Sequence, residues 1–317
     1  MSDQHSHNAA AAAGLGAAAT GAPTPRTLDL KGGRQGVLLL HGLSSGPQEL
    51  QFLARGLQRA GYTVRVPVID GYSFGAGGQG LQGHAQWAAA ALAEFDALRA
   101  QCDSVAVGGL CIGAVLALRI AALRSPMTAA VLALSTTLHY DGWAAPWTRR
   151  FLPLATLPGL GPLARRIAVR ESAPFGVKDE RMRGWIAAQM REAGTSDAGA
   201  AVLTVRDLSQ AQRLINDVRR RLPDINAPVL LLHAREDDAA SPRSAFEVAQ
   251  RVASPHVRCV LLADSYHMIS IDREKHRVLG EMKDFLSHHH PVASARKDGI
   301  ADNLVPFDRA SAPRRTP

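Results

Sequence analysis

Between Gly36 and Leu286, short unbroken apolar runs alternate with stretches of helical spacing, and few folds accommodate that rhythm. Gly36-Val37-Leu38-Leu39-Leu40 has the length and continuous apolarity of a strand buried on both faces. Leu50, Leu53, Leu57 and Ala60 then recur on one helical face, and Gly61 ends that helix. Residues 63–68 read as the next strand, 84–101 as a helix, 104–108 as a strand and 114–123 as a helix. Further strands are expected at 129–134, 229–233 and 257–262, the last two each followed by a helical pattern. This order predicts an α/β fold: a mostly parallel sheet with helices on both faces.

One region departs from the alternation. Residues 138–222 carry only helical patterns, interrupted by Pro153, Pro158, Gly159, Gly161 and Pro162. Lying between two sheet strands, they are expected to form a helical cap over the carboxyl edge of the sheet, where ligands of open α/β sheets bind. The expected organisation is a core of 26–137 and 223–290, a cap insertion at 138–222, and tails at 1–25 and 291–317. The tails lack the apolar periodicity that organises a core.

Composition narrows the setting. No stretch has enough consecutive apolar residues to span a bilayer. The alanine-rich start has no basic residue before its alanine run, unlike a secretory signal, so a cytoplasmic protein is expected. Cys102, Cys111 and Cys259 have neither disulfide-framework nor zinc-ligand spacing. The formal net charge of +8 is scattered and lacks an aromatic-plus-basic recognition motif, so no nucleic-acid partner is expected.

Four segments carry chemistry. Gly109-Leu110-Cys111-Ile112-Gly113 ends an apolar strand and opens a helix, the G-x-S-x-G nucleophile elbow with cysteine in the central place. Alone, the pentapeptide also fits a small buried filler in a strand-to-helix turn. As an elbow, it puts the sulfur at a helix N-terminus, where free N–H groups and the dipole favour a thiolate. Upstream, Leu40-His41-Gly42-Leu43 ends a strand where an oxyanion hole needs a second donor, so Leu43 N–H and Ile112 N–H are the expected pair. His41 is given no part in proton transfer. Downstream, residues 229–233 run into Glu236-Asp237-Asp238, where a carboxylate is needed to orient a histidine; Asp237 and Asp238 compete for that role. Finally, His267 follows the last strand. The chain order of nucleophile, acid and histidine is that of α/β-hydrolases.

From about Gly36 to Leu286 the chain resembles the small bacterial carboxylesterases and monoacylglycerol lipases of the α/β-hydrolase superfamily. The resemblance rests on LLLHG, GLCIG, HAREDDAASPRSA and SYHMISIDREKH. In that branch the acid stands four residues after the position of His233, a register that selects Asp237, with Asp238 as the fallback. Two departures stand out. The branch normally uses serine where this chain has Cys111, and Asp70-Gly71-Tyr72 stands where relatives often have a Gly-His-Gly turn. Cysteine in the same box occurs in dienelactone hydrolases and polyhydroxyalkanoate synthases.

The resemblance implies hydrolysis of a small-molecule carboxylic ester or thioester by a Cys111-His267-Asp237 triad through an acyl-enzyme. No cofactor or metal is implied. Acyl transfer through the same thioester is the alternative. A non-catalytic binding protein on a hydrolase scaffold is a second, though it predicts loss of the acid or the histidine. In the cap, Phe151, Leu152, Leu154, Leu157, Leu160 and Leu163 are bordered by Arg149, Arg150, Arg165, Arg166 and Arg170. That pattern reads as a packed hairpin with a solvated basic face. The sharper alternative is an acyl pocket whose arginine rim meets an anionic group or a membrane surface.

Overall fold

A computed structural model describes residues 25–74, 81–145, 168–170, 173–193, 195–196, 199–200 and 202–292. Most of both expected tails and the arginine-bordered apolar stretch of the expected cap lie outside these residues, apart from the backbone of Arg170.

The sheet contains β1 (Leu28–Leu30), β2 (Gln35–Leu40), β3 (Thr63–Val66), β4 (Ser104–Leu110) and β5 (Thr128–Leu134). Around them lie α1 (Gln51–Arg59), α2 (His84–Arg99) and α3 (Ile112–Leu123). The segment after β5 adds β6 (Ala168–Arg170), α4 (Glu180–Ala193), β7 (Thr195–Ser196), β8 (Gly199–Ala200), β9 (Val202–Thr204) and α5 (Val205–Arg221). The chain then returns to the sheet with β10 (Val229–Ala234), α6 (Arg243–Arg251), β11 (Val257–Leu262) and α7 (Lys275–His289).

The strands run in the order β1-β3-β2-β4-β5-β10-β11, all neighbours parallel except β1 against β3. β4 is central because its two faces and both edges are apolar and paired: Leu40 lies opposite Gly109, and Leu110 opposite Leu134. Alternate side chains feed two cores. Leu38, Leu40, Val229 and Leu231 pack with α2, α3 and the buried side of α5. Val37, Leu39, Leu230 and Leu232 pack under α1 and α7. Burying these side chains, each contributing about 1.5–3 kcal/mol, fixes the strand ends on which the site stands.

Several bounds differ from expectation for local reasons. The strand from Thr63 ends at Val66 because Pro67 has no N–H to continue a ladder. The final helix begins at Lys275 rather than near Asp272, since Asp272 spends its carboxylate on loop amides. β1, with only three residues and a half-exposed pattern, carries no apolar run to announce it. The insertion contains short strands as well as helices: β6 pairs with β9, and β7 with β8. Its last helix, α5, buries Leu214, Ile215 and Val218 in the main core.

Candidate active site

The turn from β4 into α3 decides where Cys111 stands. A Cβ on Gly113 would overlap the carbonyl oxygen of Leu40, and one on Gly109 would overlap the backbone of Gly113. Only glycines let β4, β2 and α3 approach this closely. Between them Cys111 adopts φ 58° and ψ −120°, a left-handed backbone that a non-glycine residue holds at a cost of about 1–3 kcal/mol. Its N–H donates to Leu134 O at 3.0 Å. The side chain is half-buried where the two cores meet.

His267 comes from the loop after β11, and Asp237 from the loop after β10. The two are joined by His267 Nδ1 to Asp237 Oδ1 and Oδ2 at 2.9 and 2.8 Å. Asp237 is fixed in turn by Ala239 N–H at 2.9 Å and Ala240 N–H at 2.8 Å. Burial disfavours its charge, but His267 and His233 hold its carboxyl well below the usual range. His233 Nε2 lies 2.7 Å from Ala240 O and 3.2 Å from Asp237 Oδ2; both are acceptors, so Nε2 carries the proton. For His267, burial opposes the imidazolium, yet Asp237 and Cys111 raise its pKa well above the ordinary value. Its Nε2 is buried and makes no ordinary hydrogen bond among the described residues, although Cys111 is close enough to act on its proton affinity.

Asp238 does a different task. It accepts His267 N–H at 3.2 Å and Gly176 N–H at 3.0 Å, and burial raises its pKa. Asp272 accepts Lys178 N–H and Asp179 N–H from the insertion and Tyr266 N–H from the histidine loop, at 2.9, 3.0 and 2.8 Å. Met268 N–H also donates to Gly176 O at 2.7 Å. Residues 176–179 are thereby fastened to the loop that carries His267.

The turn after β2 is equally constrained. Ile69 N–H donates to Ser73 Oγ, so the Ser73 hydroxyl gives its proton to His41 Nε2, and His41 Nδ1–H donates to Gly42 O at 2.8 Å. Burial lowers the pKa of His41 to about 4 against the Gly42 carbonyl, so it is neutral at pH 7. Tyr72 O–H donates to His41 O at 2.7 Å, giving Asp70-Gly71-Tyr72 a structural part. Gly42 N–H donates to the buried Glu49 Oε1 at 3.1 Å. With both ends of Gly42 engaged, the next N–H is that of Leu43, which makes no hydrogen bond among the described residues. Ile112, first residue of α3, has no intrahelical acceptor for its N–H.

The structure thus brings Cys111, Asp237 and His267 to the carboxyl edge of the sheet, after β4, β10 and β11, with Leu43 and Ile112 on the turns flanking the sulfur. Sequence reasoning did not find Glu49, the separate task of Asp238, or Thr137, whose Oγ1 lies 3.4 Å from Cys111 Sγ. The polar run Ser135-Thr136-Thr137 after an apolar strand is the signal that could have drawn attention to the last.

Comparison with known proteins agrees with this architecture. The family described as Hydrolase_4: Serine aminopeptidase, S33 matches residues 33–274. A thermostable monoacylglycerol lipase of Bacillus sp. (strain H-257) is 23% identical over 257 residues, covering 81% of this chain and 92% of that protein. A carboxylesterase of Bacillus subtilis (strain 168) is 23% identical over 271 residues, covering 83% and 96%. A solved structure from the work on LipS and LipT, two metagenome-derived lipolytic enzymes, superposes with a TM-score of 0.69 at 23% identity, covering 84% of this chain and 99% of that one. The match spans the elbow, the acid and the histidine loop together, and on it the chain belongs to the Hydrolase_4 family, as an esterase-like enzyme of the α/β-hydrolase fold.

Proposed function

We propose that this enzyme cleaves carboxylic esters or thioesters with Cys111 as nucleophile, His267 as general base and acid, and Asp237 as the group that orients and charges His267. The observation that carries the proposal is the strained Cys111 turn close enough to the buried His267–Asp237 pair to raise the proton affinity of His267. His267 Nε2 takes the thiol proton, and the sulfur attacks the acyl carbonyl, forming a C–S bond as the carbonyl π electrons move to oxygen. Leu43 N–H and Ile112 N–H receive that oxyanion; losing one such donor typically costs about 10²–10³ in turnover. Collapse expels the alcohol or thiol, which leaves with the proton from His267, and a thioester remains on Cys111. Water, deprotonated by His267, attacks next; the sulfur departs and regains the proton.

The reading extends to a cytoplasmic enzyme acting on small acyl substrates without a cofactor. It is supported by the free state of all three cysteines and by esterase and lipase relatives. Among the described residues no helix is long and apolar enough to cross a membrane. The test is intact-mass trapping of the acyl-enzyme across a panel of p-nitrophenyl esters and acyl thioesters. One acyl adduct mapping to Cys111, absent in Cys111→Ala, is expected. A Cys111→Ala enzyme with near wild-type turnover overturns the reading, and acyl products joined to an added alcohol above hydrolytic background turn it toward acyl transfer.

A further inference from the structure

Thr137 lies three residues past β5, in the loop beside the elbow, and is 4% exposed. Its Oγ1 is a donor with two acceptors in range: Cys111 Sγ at 3.4 Å and Ser135 O at 3.2 Å. The first distance is ordinary for a hydrogen bond to sulfur. A hydroxyl has one proton, so it satisfies one acceptor at a time. While the sulfur carries hydrogen it is a weak acceptor, and the Ser135 carbonyl wins the proton. Once the sulfur is anionic the bond to it becomes charge-assisted, roughly twice as strong as a neutral one, and the hydroxyl turns to sulfur.

We propose that Thr137 is a catalytic residue whose hydroxyl donates to the Cys111 sulfur whenever that sulfur is anionic, before attack and again as it leaves the thioester. This rests on Cys111 being the nucleophile. Attack forms the C–S bond and removes the charge, so the hydroxyl proton returns to Ser135 O. Breaking the C–S bond restores the charge on sulfur, and the hydroxyl turns back to it. No proton is transferred from Thr137 at any step. The other titratable groups that bear on Cys111 are His267, from the loop after β11, and Tyr72, which also feels Glu49 beneath Gly42. Tyr72 uses its proton on His41 O. Among the described side chains, the Thr137 hydroxyl is therefore the neutral donor against the sulfur, complementing the imidazolium.

The test measures iodoacetamide alkylation of Cys111 by peptide mapping at pH 6 and pH 9.5 in the full chain, for the parent, Thr137→Val and Thr137→Ser. Valine keeps the shape and removes the donor, while serine keeps the donor. Thr137→Val is expected to slow alkylation about tenfold at pH 6 and leave it unchanged at pH 9.5, a size set by one charge-assisted bond against one neutral bond. Thr137→Ser is expected to stay within about twofold of the parent at both pH values, a margin well inside one tenfold step. Thr137→Ala repeats the contrast should valine disturb folding, which the labelling rate of the buried Cys102 monitors. Equal slowing at both pH values, or a Thr137→Val rate equal to the parent at pH 6, overturns the assignment. The nucleophile reading fails separately: it falls if the parent labels Cys111 no faster than Cys259 or if Cys111→Ala retains turnover.

Discussion

Replacing Asp237 by asparagine isolates what its second oxygen does. Oδ1 accepts Ala239 N–H and Ala240 N–H, so the asparagine oxygen must occupy that place. The new NH2 group then replaces Oδ2, facing His267 Nδ1 at 2.8 Å and the proton on His233 Nε2 at 3.2 Å. Nδ1 also lies 2.9 Å from Oδ1, but that oxygen already accepts two N–H groups, so His267 relieves the clash of donors by moving its proton to Nε2, where it can no longer accept one from Cys111. The expected loss in kcat/KM is about 10³–10⁴, equivalent to roughly 4–5.5 kcal/mol of transition-state stabilisation. Asp238→Asn is the matched control, since its oxygens accept one backbone N–H each, from His267 and Gly176. The amide retains one of these bonds, so the expected cost is about 1–3 kcal/mol in stability and no more than about tenfold in kcat/KM. Steady-state kinetics on the best p-nitrophenyl ester, with thermal melts of each variant, make the comparison. A Asp237→Asn enzyme within tenfold of the parent, or an Asp238→Asn enzyme slower than Asp237→Asn, refutes the reasoning.

Three further outcomes are expected. Cys111→Ser should lose at least about tenfold in kcat/KM, equivalent to about 1.4 kcal/mol, because the shorter-reaching hydroxyl must give up its proton during attack; a serine enzyme as fast as the parent leaves a site indifferent to sulfur. His41 is lowered from 6.5 to about 4 in the folded chain, so between those pH values the unfolded chain binds a proton the folded one does not. Folding stability should therefore fall as pH drops through that window, by roughly 3 kcal/mol in all, and denaturant unfolding of His41→Asn should show a correspondingly flatter slope. Gly113→Ala should destabilise the fold by about 1–3 kcal/mol because its Cβ meets backbone oxygens of Leu40 and His41 that cannot move independently; an unchanged Tm speaks against the elbow packing described.

The strands β2, β4, β5 and β10 were legible because burial on both faces forces continuous apolar runs, which stand out against neighbouring helical periods. The elbow was legible for a related reason: a turn that tight admits little but glycine on either side of residue 111. Asp237 and Asp238 could not be separated by their local spacing, since both follow the same strand and differ only in which donors reach them. Family register selected Asp237, and it is the one paired with His267 Nδ1. Thr137, Glu49 and β1 were illegible for a common cause: each acts through a partner distant in sequence or through a few ordinary residues, and no periodicity records such a contact.

Asp238 and Asp272 hold residues 176–179 to the histidine loop through backbone amides, so that part of the joint is independent of the side chains at 176–179, whereas the Lys178 side chain adds an ion pair to Asp264 at 3.3 Å. Such a joint transmits displacement in both directions. A displacement of residues 176–179 is passed through Asp238 to the amide of His267, and a displacement of that amide is passed back. Any ligand that binds these residues differently in the two charge states of His267 is linked to that charge reciprocally, each changing the other by the same factor. The side chains of Lys178 and Asp179 can therefore change while the amides that fasten this segment to the histidine loop stay engaged.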